Sequence, residues 1–244
     1  MNATAEVNNV LRRFAETGDP RRATGEKAYL KSALMFYGVG MKGIRAGARH
    51  VLDAHPDLTR PDLLSLVDAL WSTRHHEVWS VGIELLDKRS DTLQAGDLRF
   101  VETMLRKTNT WAHVDWLAVN VVGALVTRFA SCERAMDRWA RDDNLWIRRS
   151  AMLALLRPLR AGEGDFDRFA RYASAMIEER EFFIRKAIGW ILREVGKKRP
   201  QLTSEFLQEH IEVVAGLTLR EGAKYLPART RERLMRQYRN RRSK

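Results

Sequence analysis

The feature that most constrains this chain is an internal repeat. Four segments line up: Val78-Trp79-Ser80-Val81-Gly82, Val114-Asp115-Trp116-Leu117-Ala118, Ile147-Arg148-Arg149-Ser150-Ala151 and Ile184-Arg185-Lys186-Ala187-Ile188. The branched residue that opens each one recurs at intervals of 36, 33 and 37 residues. In the first three a small residue (Gly82, Ala118, Ala151) follows four positions later; in the fourth the small residues are Ala187 and Gly189, one position either side of that point. A small residue one helical turn on lets a neighbouring helix approach closely, and a period of this length is that of one helix pair. Four amphipathic helices of a single bundle would share part of this likeness, so the spacing leaves that reading open.

Helix-period patterns run almost end to end, and no alternating strand pattern interrupts them. The expected helices are roughly 3–16, 25–37, 41–54, 60–72, 76–88, 96–107, 112–130, 133–141, 145–158, 164–178, 182–197, 201–213, 217–225 and 229–240, with breakers at Gly18-Asp19-Pro20, Pro56-Asp57, Pro61, Pro158, Gly162 to Gly164 and Pro200. The repeat and these helices together predict an all-α fold, HEAT-like helical repeats stacked into a curved solenoid with a basic concave face. With no composition shift earlier in the chain, one domain over 1–228 followed by a basic tail over 229–244 is the expected organisation.

Charge narrows the partner. The 244 residues carry a formal net charge of +12, which favours a polyanion. Residues 229–244 hold eight basic side chains and one acidic, Glu232, and so supply +7; the remaining +5 belongs to the body. Hydrophobic residues at 45% are enough for a core. The single cysteine, Cys132, excludes an internal disulfide and fits a reducing compartment. No apolar run reaches the ~18 residues of a membrane span, and the N-terminus lacks a signal-peptide core, so a soluble, cytoplasmic monomer with no membrane partner is expected.

The first turns of the repeated helices carry the candidate chemistry. The second repeat has Trp111, His113 and Asp115; the third Trp146, Arg148 and Arg149; the fourth Arg185 and Lys186, then Trp190. Arg or Lys beside the N–H groups at a helix start makes a phosphate site, which nominates Arg148, Arg149, Arg185 and Lys186 for a nucleic-acid backbone. An exposed Trp packs well against a sugar or a cationic base. Asp115 is the exception, an anion among cations. Taken by spacing alone it reads as a first-turn carboxylate that complements the helix dipole, and each Trp alone reads as core.

Four longer stretches carry a resemblance: Glu26-Lys27-Ala28-Tyr29-Leu30-Lys31, Thr110-Trp111-Ala112-His113-Val114-Asp115, Asp143-Asn144-Leu145-Trp146-Ile147-Arg148-Arg149, and Glu181-Phe182-Phe183-Ile184-Arg185-Lys186-Ala187-Ile188-Gly189-Trp190-Ile191-Leu192-Arg193-Glu194. In this order and separation they resemble the AlkD-like DNA alkylation repair family over most of residues 25–225. The resemblance implies an alkylpurine DNA N-glycosylase that needs no cofactor or metal and acts on N3- and N7-alkylated purines in duplex DNA without flipping the base into a pocket. By position it implies Asp115 as the catalytic carboxylate, Trp111 and Trp190 lining the lesion cleft with Tyr29 close by, and Arg149 on the DNA backbone. The family often begins the second stretch with a Trp-Trp pair where this chain has Thr110-Trp111, which bears on the range of lesions accepted. The basic tail is not part of the resemblance.

His75-His76-Glu77 looks metal-like but lacks the i, i+4 histidine spacing of a zinc-binding helix. His113, two residues from Asp115, points away from it on a helix and reads as a DNA-facing or structural residue. Cys132 has no base partner and reads as a small buried residue. Two alternatives remain in sequence terms: a non-catalytic repeat protein that binds bent or branched DNA, and a protein-interaction scaffold, against which the charge argues.

Overall fold

Apolar residues at helical spacing become helices throughout the described residues, 1–241 of a computed structural model. Among these residues the only extended pairing is one isolated bridge, Met35 to His75. The chain divides into two compact units, Met1–Leu117 and Ala118–Lys244.

The first unit contains α1 (Ala3–Thr17), α2 (Pro20–Leu30), α3 (Gly40–Ala54), α4 (Arg60–Trp71), α5 (His76–Lys88), α6 (Leu98–Lys107) and α7 (Trp111–Trp116). The second contains α8 (Gly123–Arg128), α9 (Glu133–Trp139), α10 (Leu145–Leu153), α11 (Leu156–Ala161), α12 (Phe166–Ala175), α13 (Phe182–Gly196), α14 (Pro200–Glu209), α15 (Gly216–Gly222) and α16 (Ala228–Asn240). The division falls inside a π-helical segment, Leu117–Val122, where a plain α-helix was expected.

The repeat has a clear physical basis. Val78, Val114, Ile147 and Ile184 are each 0% exposed and occupy the third or fourth position of α5, α7, α10 and α13. Burying such a side chain contributes roughly 1.5–3 kcal/mol. The small residues are the points of close approach. A Cβ on Gly82 would sit 3.0 Å from the Trp71 ring of α4, and one on Gly189 only 2.7 Å from Cβ of Glu221 on α15.

Two further repeats escaped the sequence comparison. Ile44 with Ala48 on α3, and Thr218 with Gly222 on α15, lie 34 residues before Val78 and 34 after Ile184. Thr218 hid the second because a hydroxyl stands where an aliphatic group was sought. It is fully buried all the same, its Oγ1 donating to the carbonyl of Arg185 at 3.1 Å.

Two further expected helices changed. The helix expected over 25–37 runs instead over Pro20–Leu30. Asp19-Pro20, read as a breaker, is a helix start: the Asp19 carboxylate accepts from the N–H of Arg21 and Arg22 at 2.8 and 3.2 Å, and Pro20 takes the first position, where no N–H is missed. Lys31 then turns left-handed (φ 49°) and ends the helix. The helix expected over 145–158 is broken into α10 and α11.

The helix expected over 229–240 is present. Over 228–240 it is α16, with Leu234 fully buried. Arg241 follows it, packing over the Tyr238 ring at 3.9 Å and donating to the carbonyl of Val214 at 2.8 Å and to that of Ile211. Only residues 242–244 of the expected tail lie outside the described residues.

Candidate functional site

Trp111 and Asp115 stand one turn apart on α7, which starts where Thr110 accepts from the N–H of Ala112 at 3.4 Å. That spacing puts both side chains on one face, and both are half-buried. Asp115 is the fifth residue of α7, and the first turn of this helix holds no acidic residue. The dipole-cap reading of Asp115 therefore fails, because the unpaired N–H groups of a helix lie in its first turn.

Tyr29, near the end of α2, completes the cluster within the first unit. Its ring meets Trp111 edge-on, centroids 5.9 Å apart and planes at 89°, while 72% of the residue stays exposed. No residue of α2 is buried, so nothing in a core holds this helix. The segment after it is what fixes its position. Met35 donates its N–H to the carbonyl of Arg74 at 2.7 Å and accepts from the N–H of His76 at 2.9 Å. One carboxylate oxygen of Glu77 accepts from the N–H of Tyr37 and Gly38, at 3.0 and 2.6 Å.

The His75-His76-Glu77 trio thus anchors a strap. Tyr37 stacks on His75 at 4.7 Å and Phe36 on His76 at 4.5 Å. His76 in turn stacks on His113 at 4.2 Å, and His113 sits near the Trp71 and Trp79 rings. His113 is 1% exposed, with Nε2 3.1 Å from both the Ser80 hydroxyl and the His76 carbonyl oxygen. It is a core residue and does not face DNA. One stack therefore ties the strap behind Tyr29 to the inner side of the helix that carries Trp111 and Asp115.

These rings are kept neutral. Burial holds His76 down at about 4, and burial with the neighbouring His76 holds His113 well below the usual histidine range. Burial raises the Glu77 carboxyl, against the two N–H bonds that lower it. Among the described residues the Nδ1 atoms of His76 and His113 and Oε2 of Glu77 have no hydrogen-bond partner.

In the second unit the expected cations have internal partners. Arg148 forms a two-pronged pair with Glu179 (2.9 and 3.1 Å) and donates to the carbonyls of Asp142 and Asp143. Arg185 donates to the Glu179 carbonyl at 2.7 Å, and Lys186 pairs with Glu221 at 3.0 Å. Burial raises the Glu221 carboxyl, but Lys186 and Arg193 hold it below its usual range.

Arg149 differs most from the expectation of a backbone contact. It is 2% exposed, donates to the Phe183 carbonyl, and its guanidinium carbon lies 5.9 Å from the Phe183 ring centroid. As it stands it braces α10 against the start of α13 instead of facing solvent. Trp146 packs on the same Phe183 ring at 4.8 Å, and Trp190 lies half-buried on α13 one turn beyond Lys186. Sequence reasoning missed Glu179 and Glu221, which stand 31 and 35 residues beyond Arg148 and Lys186. That separation is about one repeat, so searching one period ahead of each cation would have found them.

This arrangement offers an anion one turn from an aromatic face in the first unit, with a second aromatic ring on that face's edge. Such a set can hold and stabilise a cationic, planar group.

The comparisons agree in kind. A family model described as DNA alkylation repair enzyme matches residues 10–226. A predicted DNA alkylation repair enzyme from Enterococcus faecalis is similar in structure at 24% identity and a TM-score of 0.79, covering 87% of this chain and 98% of its own. AlkD2 from Streptococcus mutans is similar at 19% identity and a TM-score of 0.60, covering 78% and 91%. The smu.31 protein of Streptococcus mutans UA159 follows at 18% identity and a TM-score of 0.59, covering 85% and 98%. No curated protein matches the chain.

Proposed function

Because the chain belongs to the DNA alkylation repair enzyme family, we propose that it is a DNA glycosylase that hydrolyses the N-glycosidic bond of cationic N3- and N7-alkylated purines in duplex DNA. The observation that carries this reading is the pairing of Trp111 with Asp115 on one half-buried face of α7, with Tyr29 against the Trp111 ring.

The chemistry suits that set. Alkylation at N3 or N7 gives the purine a positive charge, so the base leaves without being protonated. The C1′–N bond breaks and its electron pair departs with the base, which becomes neutral; positive charge moves to the deoxyribose. The Asp115 carboxylate stabilises that charge and orients a water. The water oxygen bonds to C1′, its proton passes to the carboxylate or to solvent, and an abasic site remains. Trp111 would attract the cationic base, worth ~0.5–2 kcal/mol. Because the leaving group needs no acid, one carboxylate is enough, whereas most sugar hydrolases need two. No step calls for a cofactor or a metal, and none calls for turning the base into a pocket.

Arg148, Arg185 and Lys186 would reach phosphates by exchanging their internal partners, and the half-exposed Lys186 is best placed to do so. Arg149 acts through α10 and Phe183 and is a positioning residue in this account.

The test is incubation with duplex DNA carrying 7-methylguanine or 3-methyladenine, with chromatography for the freed base. Release well above the spontaneous rate is expected. Binding to such DNA with no release above that rate would overturn the proposal in favour of a non-catalytic DNA-binding protein.

A further inference from the structure

The family match ends at residue 226, and α16 begins two residues later. A helix of 13 residues therefore lies beyond the part of the chain that the family accounts for, and it is the most basic element of the second unit. Its inner side is settled: Leu234 is fully buried, and Arg241 just past its end is fastened to the carbonyls of Ile211 and Val214.

The outer side is different. At 100° per residue, Arg229, Arg233, Arg236 and Arg239 fall on the side opposite Leu234, and all four are exposed. Their spacings of 4, 3 and 3 residues make a continuous stripe about 15 Å long at 1.5 Å per residue. One carboxylate, Glu232, shares that side. Among the described residues none of the four arginines forms an ion pair, although Arg229 and Arg233 border an open groove with Glu205 and Glu209 of α14 across it. In this they are unlike Arg148 and Lys186, whose charges are already matched within the unit.

The geometry points to the outer face of α16 as a second docking surface for DNA, one that takes the phosphate backbone and not the lesion. Guanidinium groups on a rigid helix suit phosphate, with which they bond in a forked, charge-assisted way. A docked helix fixes the backbone from which they project, so no backbone entropy is lost when they engage. The surface reads no base sequence, since phosphates carry none. Its effect is to hold the protein on undamaged duplex. The inference rests on DNA being the partner and is independent of the excision chemistry.

The experiment is a salt titration of binding to a short undamaged duplex. Each phosphate neutralised contributes ~0.9 to the slope of log K against log salt. The full chain is compared with R229Q/R233Q/R236Q/R239Q, in which glutamine keeps the helix propensity close to that of arginine. Circular dichroism checks that the helix remains. A second variant, R12Q/R13Q/R134Q/R157Q, removes the same charge from exposed positions elsewhere.

The α16 variant is expected to lower the slope by about 2–4 and weaken binding at least tenfold at ~100 mM salt, with a much smaller change in the second variant. An unchanged slope, or an equal drop in both variants, overturns the proposal. So does loss of binding to phosphatidylserine vesicles with the DNA slope intact, which would assign the helix to a membrane surface. Failure of the unaltered chain to bind duplex at all would overturn this inference and the glycosylase reading together, whereas an intact slope in the α16 variant removes only the inference.

Discussion

At the scale of single residues, the contrast between Asp115 and Arg149 shows what a side chain's neighbours decide. Both were nominated for direct roles at DNA. Asp115 stays half-exposed beyond the first turn of its helix, one turn from Trp111, where a carboxylate can meet a developing cation. Arg149 has its guanidinium turned inward to the Phe183 carbonyl. Removing a buried donor leaves its acceptor unsatisfied, at a cost of about 1–3 kcal/mol. Arg149→Met is therefore expected to lower stability to urea by that amount while leaving the salt slope of DNA binding unchanged. A variant of full stability with a slope reduced by about one unit would return Arg149 to the phosphate backbone. Residue identity and helical period made both positions legible as candidates. The bond from Arg149 to the Phe183 carbonyl, 34 residues away, sets it apart, and no local pattern reports it.

At the scale of elements, α2 and the strap behind it hold Tyr29 without a core of their own. The Phe36–His76–His113 stack does the holding, and it works because the imidazoles are neutral. His76 titrates near 6.5 in the unfolded chain and at about 4 in the fold. Above pH 6.5 it is neutral in both states. As pH falls from 6.5 towards 4 the unfolded chain takes up the proton first, so stability is lost across that window, by roughly 3 kcal/mol. His113, also lowered, adds to the loss in the same direction. Urea unfolding at pH 7.5 and 4.5 checks this: His76→Phe, which keeps the stack, is expected to lose markedly less stability on acidification than the unaltered chain. Equal losses would contradict it. The elements themselves were largely visible in sequence. Those misjudged had a definite cause: Asp19-Pro20 starts a helix as readily as it breaks one, and Thr218 buries a satisfied hydroxyl where an aliphatic residue was sought. The strap was invisible because Glu77 binds backbone N–H groups 39 and 40 residues away.

At the scale of the whole molecule, charge and repeat make different statements. The repeat accounts for an all-helical chain in two compact units, and membership of the DNA alkylation repair enzyme family follows from the match over residues 10–226. The net charge of +12 speaks of a polyanion, yet two of the four nominated cations, Arg148 and Lys186, are matched by internal carboxylates, while the outer face of α16 is left unmatched among the described residues. Net charge is a property of composition, and it does not say which cations are already neutralised. The chemistry, by contrast, depends on one anion. Single-turnover excision of 7-methylguanine from duplex DNA by the unaltered chain and by Asp115→Asn tests that dependence most directly, with DNA affinity measured alongside. Loss of about 100-fold or more in the excision rate at nearly unchanged affinity is the predicted result. Excision by Asp115→Asn at the rate of the unaltered chain would contradict the account.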